Sequence, residues 1–247
     1  MNRALFRFYA ELNEFLPPAA RMCEAEHFFW VPAPVKDVIE SFGVPHTEVE
    51  LILINGLSAD FQQVLQDGDR VSVYPVFESI DVTPILRVRP KPLRELRFVC
   101  DTHLGRLASY LRMLGFDTKY RNDFSDPELV EMSVNECRVL LTRDRALLKH
   151  RVITHGALIR NADPQGQLAE VVERFDLSGM VAPFTRCLRC NGLLTSVEKE
   201  QVLARLPAGA AHHYDEFSTC QGCGRLYWKG SHFRRMQQLV SETCAAR

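Results

Sequence analysis

Leu96-Arg97-Phe98-Val99-Cys100-Asp101 opens the stretch that decides the fold. A short apolar run ends there on an acid. A helical stripe of Leu104, Leu107, Ala108, Leu111 and Leu114 follows, closed by Gly115. Phe116–Tyr120 reads as a strand. Ser125-Asp126-Pro127-Glu128 opens another helix, with capping-box spacing and an early proline. Arg138-Val139-Leu140-Leu141-Thr142 is a buried strand ending in Arg143-Asp144. A further strand is expected near Ala157–Arg160. The helix after Asp163-Pro164 turns Leu168, Val171, Val172 and Phe175 inward. Strands alternating with helices predict an α/β domain, a parallel sheet flanked by helices on both faces.

In such sheets functional groups gather beyond the C-terminal ends of the strands. Asp101 and Asp144 each follow an apolar strand, and Asp126 begins a helix at the end of another connection. The expectation is that all three converge at one edge. Two carboxylates about 4 Å apart repel by about 4 kcal/mol at an effective dielectric near 20, so a cluster of three needs a cation. Carboxylate oxygens select Mg²⁺ or Mn²⁺. Such an ion can activate water and neutralise a phosphodiester. Each acid also has a plainer reading. Asp101 and Asp126 suit helix caps, and Asp144 suits the positive end of a helix dipole. Asp123 and, more distantly, Asp163 are the substitutes.

Downstream lie two C-x-x-C pairs, Cys187/Cys190 and Cys220/Cys223. That spacing brings two thiolates of one tight turn onto a single tetrahedral ion. Asn191-Gly192 follows the first pair and Gly224 the second, residues that tolerate a left-handed backbone. The 29-residue insert over 191–219 is longer than usual, but loop closure grows only slowly with length. A structural Zn²⁺ site is expected, against the alternative of local redox dithiols. His212, His213 and His232 are read as non-ligands, the first two in a loop and the third structural. Cys23, Cys100, Cys137 and Cys244 are read as inert thiols.

The chain has 247 residues and a net charge of −1, which hides a division. Residues 1–83 hold 5 basic against 13 acidic residues, a net of −8, leaving +7 for residues 84–247. Such asymmetry suggests separate domains, the rear one favouring polyanions. No run of 18 apolar residues exists, and charge breaks the N-terminus too early for a signal peptide. A cytoplasmic protein with reduced thiols and no membrane partner is therefore expected.

Residues 1–83 read as strand Leu5–Tyr9, strand Glu26–Val31, a helix with Val35, Val38, Ile39 and Phe42 inward, and strands Val49–Asn55 and Arg70–Val76. That is β-grasp order. The ending Asp67-Gly68-Asp69-Arg70-Val71-Ser72-Val73-Tyr74-Pro75-Val76 resembles the ubiquitin-like sulfur carriers. A sulfur carrier needs a free terminal Gly-Gly, and the chain contains no Gly-Gly. A docking module for a protein partner is expected instead. Residues 84–95 form a basic linker with Pro84, Pro90 and Pro92.

Phe98-Val99-Cys100-Asp101, Leu104-Gly105-Arg106-Leu107-Ala108, Leu111-Arg112-Met113-Leu114-Gly115-Phe116-Asp117 and Leu140-Leu141-Thr142-Arg143-Asp144-Arg145, followed by Cys220 to His232, together resemble the Mut-seven C-terminal RNase family. That family is a branch of the PIN-like nucleases carrying a zinc ribbon, and the front domain resembles the ubiquitin-like module fused to it. The resemblance implies a β-grasp domain over 1–83, a PIN-like core over 96–180 and a zinc ribbon with a basic tail over 181–247. It implies a Mg²⁺/Mn²⁺-dependent endoribonuclease, a hydrolase, with Asp101, Asp126 and Asp144 as catalytic metal ligands and Cys187, Cys190, Cys220 and Cys223 on Zn²⁺. The competing function is a non-catalytic zinc-ribbon RNA-binding adaptor.

RNA-facing candidates follow from charge. Arg106 lies one turn beyond Asp101 and Arg143 adjoins Asp144, and guanidinium suits bidentate phosphate contact. Lys229, Arg234 and Arg235 interleave with Tyr227, Trp228 and Phe233, cations beside rings that can stack bases. The plainer readings are a surface ion pair for Arg143 and packing on the zinc site for Tyr227 or Trp228.

Overall fold

The computed structural model describes residues 1–75, 83–88 and 95–245, the side chains of 208, 244 and 245 excepted. Half of the expected linker, residues 89–94, and the last residue of the strand expected over Arg70–Val76 fall outside these residues. The chain forms two compact units, Met1–Glu95 with Val130–Leu158, and Leu96–Leu129 with Ile159–Arg247.

The first unit begins with β1 (Asn2–Phe8), β2 (Ala25–Phe29), α1 (Val35–Ser41), β3 (Leu51–Ile54), β4 (Leu57–Ala59) and β5 (Arg70–Tyr74). They make a five-stranded sheet in the order β2-β1-β5-β3-β4. The first and last strands run parallel at its centre, Phe6 opposite Val71 and Phe8 opposite Val73. These four side chains point inward and are buried, as are Val35, Val38 and Ile39 of α1. This is the expected β-grasp arrangement. The short strand β4 is additional to the expectation. Asn55 and Gly56 both have left-handed backbones, φ 52° and 83°, the geometry of a two-residue hairpin. The Asn-Gly pair was its signal in the sequence.

The second unit starts with β6 (Phe98–Cys100), α2 (Gly105–Met113) and β7 (Thr118–Lys119). β6 and β7 are parallel, Phe98 opposite Thr118. The predicted stripe is real, for Leu104, Leu107, Ala108, Leu111 and Leu114 are all at 0% exposure. Truncating either Leu107 or Leu111 to alanine therefore costs about 2–5 kcal/mol. Gly115 ends the helix at φ +100°, a conformation side chains resist.

Next come α3 (Asp126–Asn135), β8 (Val139–Thr142), α4 (Arg145–Leu148) and β9 (Gly156–Leu158). β8 and β9 pair in parallel, Leu140 opposite Gly156. Residues 130–158 are compact with the β-grasp residues. The His46–Glu48 turn packs on β9, where the Leu158 amide donates to Glu48 Oε1 at 2.8 Å.

The remainder belongs to the second unit. It comprises α5 (Pro164–Arg174), β10 (Leu194–Val197), α6 (Lys199–Val202), α7 (Ala208–His213), β11 (Phe217–Cys220), β12 (Leu226–Trp228) and α8 (Ser231–Ala245). Leu168, Val171 and Val172 of α5 are buried, while Phe175, expected inward, is half-buried past the helix end. β10, β11 and β12 form an antiparallel sheet in that order. The loop expected at His212-His213 is instead the end of α7, and His232, expected to be structural, is exposed on α8. The fifteen-residue α8 was not anticipated. Its signal was Phe233, Met236 and Val240 at helical spacing after a serine. The ring of Phe233 lies 4.5 Å from that of Phe184.

Candidate functional site

Asp101 follows β6 directly and is buried at 9% exposure. Its Oδ1 accepts from the Thr102 amide at 2.5 Å and the Thr102 hydroxyl at 3.1 Å. It therefore caps the 3-10 turn Thr102–Leu104 that leads into α2. Sequence reasoning missed Tyr120, whose hydroxyl donates to the Thr102 carbonyl at 3.0 Å. Gly105 is its counterpart, because an added Cβ would lie 2.6 Å from the Tyr120 oxygen. A glycine inside a helical pattern is the sequence sign of such close approach.

Asp144 follows β8 and is exposed. Its Oδ1 accepts from the Ala146 amide at 2.7 Å and caps α4. Asp126 is the exposed first residue of α3. The cap there is made by Ser125 with Glu128. The amide and hydroxyl of Ser125 each donate to Glu128 Oε2 at 2.8 Å. These bonds, with a third from Arg121, hold the Glu128 carboxyl down at about 2. The substitute Asp123 is engaged by Arg121, and Asp163 caps α5.

Arg106, Arg143, Arg234 and Arg235 are exposed. Lys229 is exposed too, but its ammonium pairs with Glu216 at 2.5 Å. No acid lies between 224 and 235 in sequence, yet the β11–β12 hairpin brings one from across the sheet.

The four cysteines meet as their spacing predicted. Among the described residues they form the one group of three or more Cys, His, Asp or Glu whose ligand atoms lie within 4.8 Å of one another. Cys187 and Cys223 sulfurs are 3.7 Å apart, and Cys190 and Cys220 sulfurs 3.3 Å. A tetrahedral zinc tetrathiolate places its sulfurs about 3.8 Å apart, so the donor set fits Zn²⁺. Asn191 and Gly224 take left-handed backbones at φ 71° and 68°, as expected. Gly192 is required for space instead, since a Cβ there would lie 3.0 Å from the Cys220 sulfur.

Tyr227 lies on this centre, its hydroxyl 3.1 Å from the Cys187 sulfur, matching the packing reading. Burial opposes ionisation of Cys187. The bonds from Tyr227 and from the Cys190 and Arg189 amides outweigh it and hold the thiol down at about 6. Cys190 is an exposed residue, yet desolvation of its sulfur and the neighbouring thiols push it up to about 12. Cys187 ionises readily and Cys190 resists, a situation that a divalent cation relieves. Cys100 differs. Burial pushes it up to about 12, so it is a neutral, inert thiol as expected.

The cysteine module is joined to the α2 end of its own unit. Arg112, 3% exposed, donates through Nε to the Thr118 carbonyl at 2.8 Å. Its Nη1 donates to the carbonyls of Leu188 and Arg189 at 3.0 and 2.9 Å. Asn191 accepts from the Thr118 amide at 3.0 Å and donates to Asp117 at 2.7 Å. Arg186 donates to the Gly115 carbonyl at 3.0 Å. Arg112 was legible only as a charge within an otherwise apolar stripe.

Two family models match the chain. The Mut7-C RNAse domain covers residues 96–240, and the Mut7-C ubiquitin domain covers residues 1–81. No curated protein and no solved structure matches it. No helix among the described residues is long and apolar enough to cross a membrane. The first match spans more than half of the chain, beginning two residues before β6 and ending within α8. With a β-grasp sheet in front, parallel strand pairs followed by acids, and four converging cysteines behind, the chain belongs to the Mut7-C RNAse family and carries that family's ubiquitin-like domain at its N-terminus.

Proposed function

We propose that this protein is a cytoplasmic, Mg²⁺- or Mn²⁺-dependent endoribonuclease that hydrolyses RNA phosphodiesters. The observation that carries this is the family match across the segment containing Asp101, Asp126 and Asp144. These three carboxylates would hold the divalent ion, and their oxygens suit a hard cation. When bound, the ion supplies charge neutralisation and an acidified water. Asp101 is fixed by its bonds to Thr102 and so offers a rigid donor. Arg106 and Arg143 would contact the phosphates beside the cut, with Lys229, Arg234 and Arg235 adding salt-dependent affinity along the RNA. Cys187, Cys190, Cys220 and Cys223 would hold a structural Zn²⁺, and the β-grasp domain would dock a protein partner.

The purified protein, incubated with single-stranded and structured RNAs plus Mn²⁺, is expected to cut internally. Cleavage should be lost in Asp101→Asn and in EDTA. Persistence in both would rule out the carboxylate site. A non-catalytic RNA-binding adaptor is the second reading, and the capping roles of Asp101 and Asp144 favour it, since capping alone accounts for an acid at each position. It predicts salt-sensitive RNA binding without cleavage, and binding unaltered by Asp144→Asn.

A further inference from the structure

We infer that Arg112 is the counter-ion of the four-cysteine centre, and that Arg112 and Asn191 together latch the metal module to α2 and β7. Occupancy of the cysteines thereby governs the order of the unit that carries Asp101. This rests on the zinc reading of the cysteines and not on the nuclease reading.

A divalent ion with four thiolates carries a net charge of about −2. Such a centre, partly withdrawn from water, requires a nearby cation. Arg112 is the buried guanidinium beside it, and its hydrogen-bond partners among the described residues are three carbonyl oxygens. Two of those carbonyls, of Leu188 and Arg189, lie inside the Cys187–Cys190 turn. Carbonyls supply dipoles without full charge, so the guanidinium needs an anion. The turn it holds carries Cys187 and Cys190, whose thiolates supply that charge when the ion is bound. The charges of Arg112 and of the loaded centre therefore answer each other.

The latch is geometric. β7 has only two residues, too few to hold a position by themselves. Its Thr118 amide is satisfied by the Asn191 side chain and its Thr118 carbonyl by Arg112. Asn191 is the residue immediately after Cys190, and its left-handed backbone belongs to the metal turn. Its amide also donates to the Cys187 carbonyl at 2.9 Å. Loosening that turn thus removes the Asn191 bond from the Thr118 amide and frees the far end of the guanidinium that holds the Thr118 carbonyl.

The test uses the full chain in its zinc-loaded form. Zinc release to a chromophoric chelator is timed for the native protein, Arg112→Met, Arg112→Lys and Asn191→Gly. Glycine fits the left-handed backbone at 191, so that variant removes the latch while keeping the turn. Amide exchange at Thr118 is followed before and after zinc removal, with Val73 of the other unit as an internal control. Arg112→Met should release zinc at least about tenfold faster, and Arg112→Lys, which keeps the charge, less so. Zinc removal or Asn191→Gly should each speed Thr118 exchange about tenfold with Val73 unchanged. Native release rates in Arg112→Met, or Thr118 protection indifferent to zinc, overturn the inference. Absence of zinc from the native protein on metal analysis overturns the zinc reading as well.

Discussion

Tyr120 and Gly105 are fitted to one another. An added Cβ at Gly105 would lie 2.6 Å from the Tyr120 oxygen and 2.7 Å from the ring carbon that bears it, and that oxygen is tied to the Thr102 carbonyl beside Asp101. Two effects oppose each other in Gly105→Ala. Helix propensity favours alanine by at most about 1 kcal/mol at this first position of α2, and overpacking against a tethered ring costs about 1–3 kcal/mol. Overpacking should win, so Gly105→Ala lowers the urea midpoint. Combined with Tyr120→Leu, the same change should become neutral or stabilising. Additive effects of the two substitutions would show that the fit is unimportant.

The Ser125–Glu128 cap makes a pH prediction with a definite sign. The folded carboxyl sits at about 2, below its ordinary 4.5. A depressed carboxylate stabilises the fold fully above the unfolded value and ceases to do so as pH falls through the folded one. The contribution should therefore be intact near neutrality and fade from about pH 4.5 down towards pH 2. A carboxyl-carbon NMR titration should show Glu128 titrating well below an ordinary glutamate. Ser125→Ala should move it upward, because the serine hydroxyl, after the Ser125 amide, is the donor that does most to hold the carboxylate ionised.

Much of this was legible because the strongest signals are periodic or spaced. The α2 stripe, the Ser125–Glu128 box and the paired cysteines each follow from local geometry, and each stands where it was expected. β4 was missed although Asn55-Gly56 announces it, since a three-residue strand has too little alternation to register. Arg112 and Asn191 were opaque for another reason. Their partners lie more than seventy residues away, and no local pattern reveals which buried charge serves which distant turn. The acids are intermediate, for their strand-end positions were readable and their capping roles are visible in the structure.

Metal removal should separate the cysteines sharply. Structural zinc contributes on the order of 10 kcal/mol to forming such a module. Cys187→Ser should lose its zinc on metal analysis, together with the near-ultraviolet dichroism of Trp228, whose neighbour Tyr227 touches the Cys187 sulfur. Cys137→Ser, at an exposed thiol outside the cluster, should retain about one zinc per chain. Equal zinc content in the two variants would contradict a four-thiolate centre.

His46 makes the last prediction, in the first unit. Its ring bridges Glu40 Oε1 and the Ile153 carbonyl, each at 2.6 Å, and the residue is 4% exposed. A carbonyl only accepts, so Nε2 donates to Ile153, and Nδ1 is hydrogen-bonded to Glu40. His46→Ala removes both bonds, and at the buried Ile153 carbonyl an unmet partner costs about 1–3 kcal/mol. It also removes the ring that meets Phe61 edge-on at 5.7 Å. Glu48→Gln is the informative contrast, since its Oε1 can still accept from the Leu158 amide. His46→Ala should therefore lower the urea midpoint strongly and speed exchange at Leu158, whose amide is held by Glu48 two residues after His46. Glu48→Gln should do less of both. An unchanged midpoint in His46→Ala would mean that water replaces the bridge at no cost, and that the contact between the His46 turn and β9 is held by packing alone.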